Sequence, residues 1–159
     1  MKLKSLLTIS LAFFLVSCAS TPEPTLTPAE IQSMQTRQYE EGKDIVFASV
    51  ISVFQDLGYQ IASADLPTGI ITSQSATAND AAYAFWTGIS KNTQTKATAY
   101  VETIGETTSV RLNFVISTNE SFGYGQQRKN EVPVLDSQTY QNAFEKVKKT
   151  CKILSITLE

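Results

Sequence analysis

The chain has 159 residues, 42% of them apolar, and a formal net charge of -2, which suits one globular domain with a real core better than two. A mildly acidic balance offers no electrostatic footprint for nucleic acid and no basic patch for anionic lipid heads. Histidine is absent, which excludes Ser-His-Asp and Cys-His catalysis and removes the commonest metal ligand, so neither a metal nor a cofactor is expected.

The N-terminus reads as an export segment. Lys2 and Lys4 give a short positive region, and residues 6–16 form an apolar run interrupted by Thr8 and Ser10. Such a run is shorter than the ~20 residues a membrane-spanning helix needs and fits the apolar region of a signal peptide. It ends in Leu15, Val16, Ser17 and Cys18, which resemble the bacterial lipobox. The resemblance implies a thioether-linked diacylglyceryl group on Cys18, cleavage between Ser17 and Cys18, and anchoring by two or three acyl chains, where one alone would hold only marginally. Cleavage also removes Lys2 and Lys4, making the mature chain more acidic. Ala19, not Asp, follows the cysteine, which by the sorting rule of enteric bacteria implies the outer membrane, facing the periplasm, in a Gram-negative source. The expected layout is a signal peptide over 1–17, a lipidated Pro/Thr-rich tether over 18–32, and one α+β domain over 33–159.

In the domain, a short strand is predicted over 34–40. A helix follows over 43–57, because Val46, Val50, Val53, Phe54 and Leu57 share one helical face. Residues 59–64 and 69–75 read as strands joined by a turn with Pro67 and Gly69. Residues 79–90 fit either a short helix capped by Asn79 or Asp80, or an apolar loop. A long hairpin spans 95–104 and 107–118 around Gly105 and Glu106. In it Ala97, Ala99 and Val101 alternate with polar residues, as do Val110, Leu112, Phe114 and Ile116. Residues 119–134 read as a loop. The closing helix, capped by Asp136 or Ser137, runs to about Leu154 with Tyr140, Phe144, Val147, Cys151 and Leu154 on one stripe. The expected order is β-α-β-β-(α)-β-β-α, and the economical fold is α+β, a curved antiparallel sheet packed around the C-terminal helix.

This layout resembles the helix-grip domains of envelope lipoproteins, the type found in BamC of the outer-membrane β-barrel assembly machinery. It is closer to a family of uncharacterised bacterial lipoproteins. The runs that carry the likeness are 34–37 (MQTR), 53–61 (VFQDLGYQI), Ala64 with Asp65, 69–72 (GIIT) and 140–147 (YQNAFEKV). They are core and turn residues that speak to fold, and a likeness of fold is an analogy where function is concerned. It implies an accessory role in an outer-membrane assembly or transport complex.

Few residues suggest chemistry. Asp56, Asp65, Glu102 and Glu106 are the carboxylates that a histidine-free hydrolase would need to pair in a cleft, yet they scatter over a helix, a turn and a hairpin. Small-ligand binding would need a cavity between sheet and helix, where Phe54, Phe114 and Phe144 suggest a filled interior. Cys151, on the apolar stripe, reads as a buried structural thiol. Arg128 and Lys129 read as a solvated pair. Tyr83, Phe85 and Trp86 either pack into the core or form a partner-binding patch; Phe122 and Tyr124 sit in a mobile or a recognition loop. The expected protein-partner surface is therefore the end formed by 79–89 and 119–131, and the expected function is a lipid-anchored, non-enzymatic binding or scaffolding module.

Overall fold

A computed structural model describes residues 26–79 and 81–157. The signal peptide, the lipobox residues Leu15, Val16 and Ser17, the lipidation residue Cys18 and most of the expected tether lie outside the described residues. Among the described residues, no helix is long and apolar enough to cross a membrane.

The first element of the described residues is helix α1, Pro28–Gln35, where a tether and then a strand were expected. The reason is local. Thr27 accepts from the Glu30 N–H at 3.3 Å while the Glu30 carboxylate accepts from the Thr27 N–H at 2.7 Å. This is a reciprocal capping box with proline in the first turn. Strand β1 is thereby shortened to Thr36–Tyr39.

Helix α2, Lys43–Asp56, buries Val46, Val50, Val53 and Phe54 as its periodicity predicts. Leu57 falls just past its end and is 40% exposed. Strands β2, Tyr59–Asp65, and β3, Ile70–Ser75, follow. The Gly69 N–H donates to Asp65 O at 2.8 Å, and the Val101 N–H to Gly69 O at 2.8 Å. With φ at +76°, a Cβ on Gly69 would lie 1.9 Å from Val101 O, so only glycine fits between these strands. A two-residue strand β4, Ala78–Asn79, precedes helix α3, Ala81–Thr87. The helical alternative for 79–90 is therefore the one realised.

The hairpin is longer than predicted. β5 spans Ser90–Ile104 and β6 Thr107–Ser121, in register from Ile104 opposite Thr107 to Ser90 opposite Ser121. The expected loop over 119–134 is corrected: β7, Gln127–Pro133, pairs antiparallel with Val115–Ser121 of β6. Its sequence lacks apolar alternation, so no periodicity announced it. Helix α4, Ser137–Thr157, closes the chain, its Asp136 side chain accepting from the Thr139 N–H at 2.9 Å.

The fold is α+β. Among the described residues seven antiparallel strands form one sheet with the path β1-β6-β5-β3-β2; β4 adds to β5, and β7 adds to β6 beyond β1. The sheet is open, not closed around a helix, and α4 shares its covered face with α2. Ala97, Ala99, Val101, Val110, Leu112 and Phe114 meet the helices there in one core with Val50, Phe54, Tyr140, Phe144 and Cys151. The alanines leave room for close helix packing. Phe54, Tyr59, Phe114 and Tyr140 pack with tilted or edge-on rings at centroid distances of 5.3 to 6.2 Å, filling the space between sheet and helices.

Candidate functional site

The buried row on β6 stops at Phe114. The next residue on the same face, Ile116, is 39% exposed, and its cross-strand neighbour Val132 is 49% exposed. Beyond that row the hairpin, β7 and β4 project as a sheet extension past the long helices.

Opposed residues of an antiparallel pair point to one face. On the face that the helices cover lower down, the extension therefore carries Thr95 beside Ile116 and Val132, then Thr93 beside Thr118 and Asn130, then Lys91 beside Glu120 and Arg128. Lys91, Thr118, Glu120, Arg128, Lys129 and Asn130 line a shallow concavity of about 350 Å³. On the opposite face Glu131 accepts from Lys96 at 2.8 Å and from Lys129 at 2.9 Å, with Ser117 Oγ donating at 3.4 Å. The bonds from Lys96, then from Lys129, pull the Glu131 carboxyl down to about 2. Arg128 and Lys129 leave opposite faces of the strand, as neighbours must, and both border the concavity.

The two segments expected to bind a partner both leave the sheet at the tip of this extension. Ser90 lies opposite Ser121, so the end of α3 and the turn after β6 leave the sheet side by side. Tyr124 is 97% and Phe85 80% exposed. Phe122 is half-buried, its N–H donating to Gln126 O at 2.9 Å, and the Gly125 N–H closes the turn onto Phe122 O at 3.0 Å. Tyr83 and Trp86 belong to α3; their side chains lie outside what the structure describes. Lys91, Thr93, Thr118, Glu120 and Asn130, which build the floor below the tip, went unrecognised in the sequence. The polar ends of β5 and β6 bring four of them together and β7 adds Asn130, and none of these stretches carries an apolar signal.

A second concavity of about 450 Å³ runs between β1 and α4, lined by Arg37, Lys148 and Lys152 against Glu40, Glu41 and Glu145. Its charges balance, and the Arg37 guanidinium already lies over the Phe144 ring at 5.4 Å.

The candidate carboxylates Asp56, Asp65, Glu102 and Glu106 line neither concavity. Asp65 is occupied in the turn, where its carboxylate accepts from the Thr68 hydroxyl and from the Thr68 N–H at 3.1 Å. Those bonds, the hydroxyl's first, hold it below the usual carboxylate range. Cys151 is buried and free, and burial pushes its thiol up.

No protein-family model matches this chain, and no curated protein matches it.

Proposed function

We propose that the protein is a lipid-anchored, non-enzymatic binding module of the bacterial envelope, which presents the tip of its sheet extension to a protein partner. The observation that carries this reading is that exposed Phe85 and Tyr124 sit on the two segments that leave one end of a polar sheet extension, at the paired residues Ser90 and Ser121. Aromatic rings are strong interface anchors because they bury a large area at little rotamer cost, and a partner at the tip leaves the packed half undisturbed. The lipobox ending in Cys18 supports the anchoring. With α1 starting at Pro28, the nine intervening residues span at most ~32 Å, so the domain would work close to the membrane surface.

The test is site-specific photo-crosslinking in intact envelopes. A photoreactive residue at Tyr124 should give a discrete protein adduct, and one at Glu106, in the turn at the far end of the hairpin, should not. The same adducts from both positions, or none from Tyr124, would defeat the reading. The anchoring part is checked separately. Globomycin, which blocks the lipoprotein signal peptidase, should cause precursor to accumulate. A Cys18→Ala protein that fractionates with the outer membrane like wild type would refute lipidation at that residue.

A further inference from the structure

We propose that β7 is a self-association edge, pairing antiparallel with the β7 of a second copy about a two-fold axis through Asn130. The edge is open and regular. Among the described residues β7 pairs with β6 alone, its seven residues are all exposed, and its ladder with β6 runs without a shift. The other edges are poorer templates: β1 has four residues, β4 has two, and β2 is interrupted by a bulge between Ile61 and Ser63.

The phase of the free hydrogen-bonding groups follows from two bonds at the ends of the ladder. The Phe122 N–H donates to Gln126 O, and the Val134 N–H donates to Phe114 O, each at 2.9 Å. Bonded and non-bonded pairs alternate along an antiparallel ladder. Arg128, Asn130 and Val132 therefore bond to β6, while Gln127, Lys129 and Glu131 turn both N–H and C=O to solvent. Pro133 offers a carbonyl alone.

A second β7 must match odd residues to odd residues, and charge selects among the registers that do so. Centring the axis on Lys129 sets lysine against lysine, and centring it on Glu131 sets glutamate against glutamate; like charges directly opposed destabilise a sheet. Centring it on Asn130 sets Lys129 against Glu131 of the second copy at both ends, each pair exchanging its two backbone bonds. It also sets Gln127 against Pro133, whose missing N–H then costs one bond at each margin. Lysine and proline on an edge ordinarily discourage pairing. Here the lysine is already held against Glu131 at 2.9 Å, and the proline sits at the last position of the strand. The patch is self-complementary, as a two-fold interface requires, and that favours a second copy over an unrelated strand.

The experiment is disulfide trapping of the full-length protein in its native membrane. In this register Asn130 faces itself as a non-bonded pair, whose Cα separation of about 4.5 Å falls within the disulfide range. Asn130→Cys should give a dimer of doubled mass on mild oxidation. Arg128→Cys, which faces Val132 of the second copy, should give far less. Lys129→Glu added to Asn130→Cys should abolish the dimer, and adding Glu131→Lys to that pair should restore it. Equal trapping at 128 and 130, no trapping at 130, or trapping at 130 indifferent to Lys129→Glu would each overturn the proposal. Failure here leaves the partner-binding reading standing, because the Tyr124 adduct is scored independently.

Discussion

The two strands of the long hairpin pass through two different environments without a break in their pairing. From Ile104 up to Ala97, and from Thr107 to Phe114, the inward row is Val101, Ala99 and Ala97 against Val110, Leu112 and Phe114, each at most 3% exposed. From Thr95 to Ser90, and from Ile116 to Ser121, the same face carries Thr95, Thr93 and Lys91 against Ile116, Thr118 and Glu120. Backbone hydrogen bonding is common to both halves. Apolar burial belongs to one of them, so stability should reside in that half while the other is free to present side chains.

Truncation should separate the halves most sharply. Phe54→Ala removes a ring that is 1% exposed and packs on Tyr59 and Phe114. It should cost ~3–5 kcal/mol and lower the melting temperature by roughly ten degrees or more. Ile116→Ala, one row past the helices, should cost under about 1 kcal/mol. Thermal denaturation of both variants makes the comparison, and equal losses would mean that the extension shares the core after all.

A single hydroxyl marks the boundary between the halves. Tyr140 is fully buried; its OH donates to Val134 O at 3.0 Å and accepts from the Phe114 N–H and the Gln35 amide, each at 3.3 Å. It ties α4 to the last residue of the covered row on β6 and to the exit from β7. Tyr140→Phe strands the Phe114 N–H and should cost ~1–3 kcal/mol, the penalty for a buried group left unpaired. Chemical denaturation should show an unchanged slope with a lower midpoint.

This division also explains what the sequence made legible. Wherever burial selects residues, periodicity reveals them: the face of α2, the stripe of α4 and the inward row of the hairpin were all readable from apolar spacing. Where backbone pairing alone recruits a strand, the side chains are released from that selection. Gln127, Arg128, Lys129, Asn130 and Glu131 are polar throughout and looked like a loop. The helix α1 was hidden for another reason. Its signal is the four-residue capping box from Thr27 to Glu30, which a composition rich in Pro and Thr masked. The tip aromatics Phe85 and Tyr124 could be singled out as residues outside the patterned elements. Their departure from the same end of the sheet could not, because it depends on a register that extends through the polar part of β5 and β6.

The smallest expected effect concerns what holds β7 in place of a core. Glu131 gathers Lys96 from β5 and Lys129 from its own strand, and its carboxyl is lowered from the ordinary 4.5 to about 2. A carboxyl lowered on folding favours the folded arrangement when ionised. Its contribution is complete above the ordinary value and is lost as the pH falls toward about 2. The group is exposed, so solvent and salt screen it, and global melting should barely register its loss. The local signal is hydrogen exchange at the Arg128, Asn130 and Val132 amides, which bond to β6. After correction for intrinsic rates, protection at these amides should fall across that acid window, while the Val110 and Leu112 amides of the covered half hold theirs. In Glu131→Gln the β7 amides should be less protected above the window and show no step within it. A step that persists in Glu131→Gln would assign the acid sensitivity of β7 to another group.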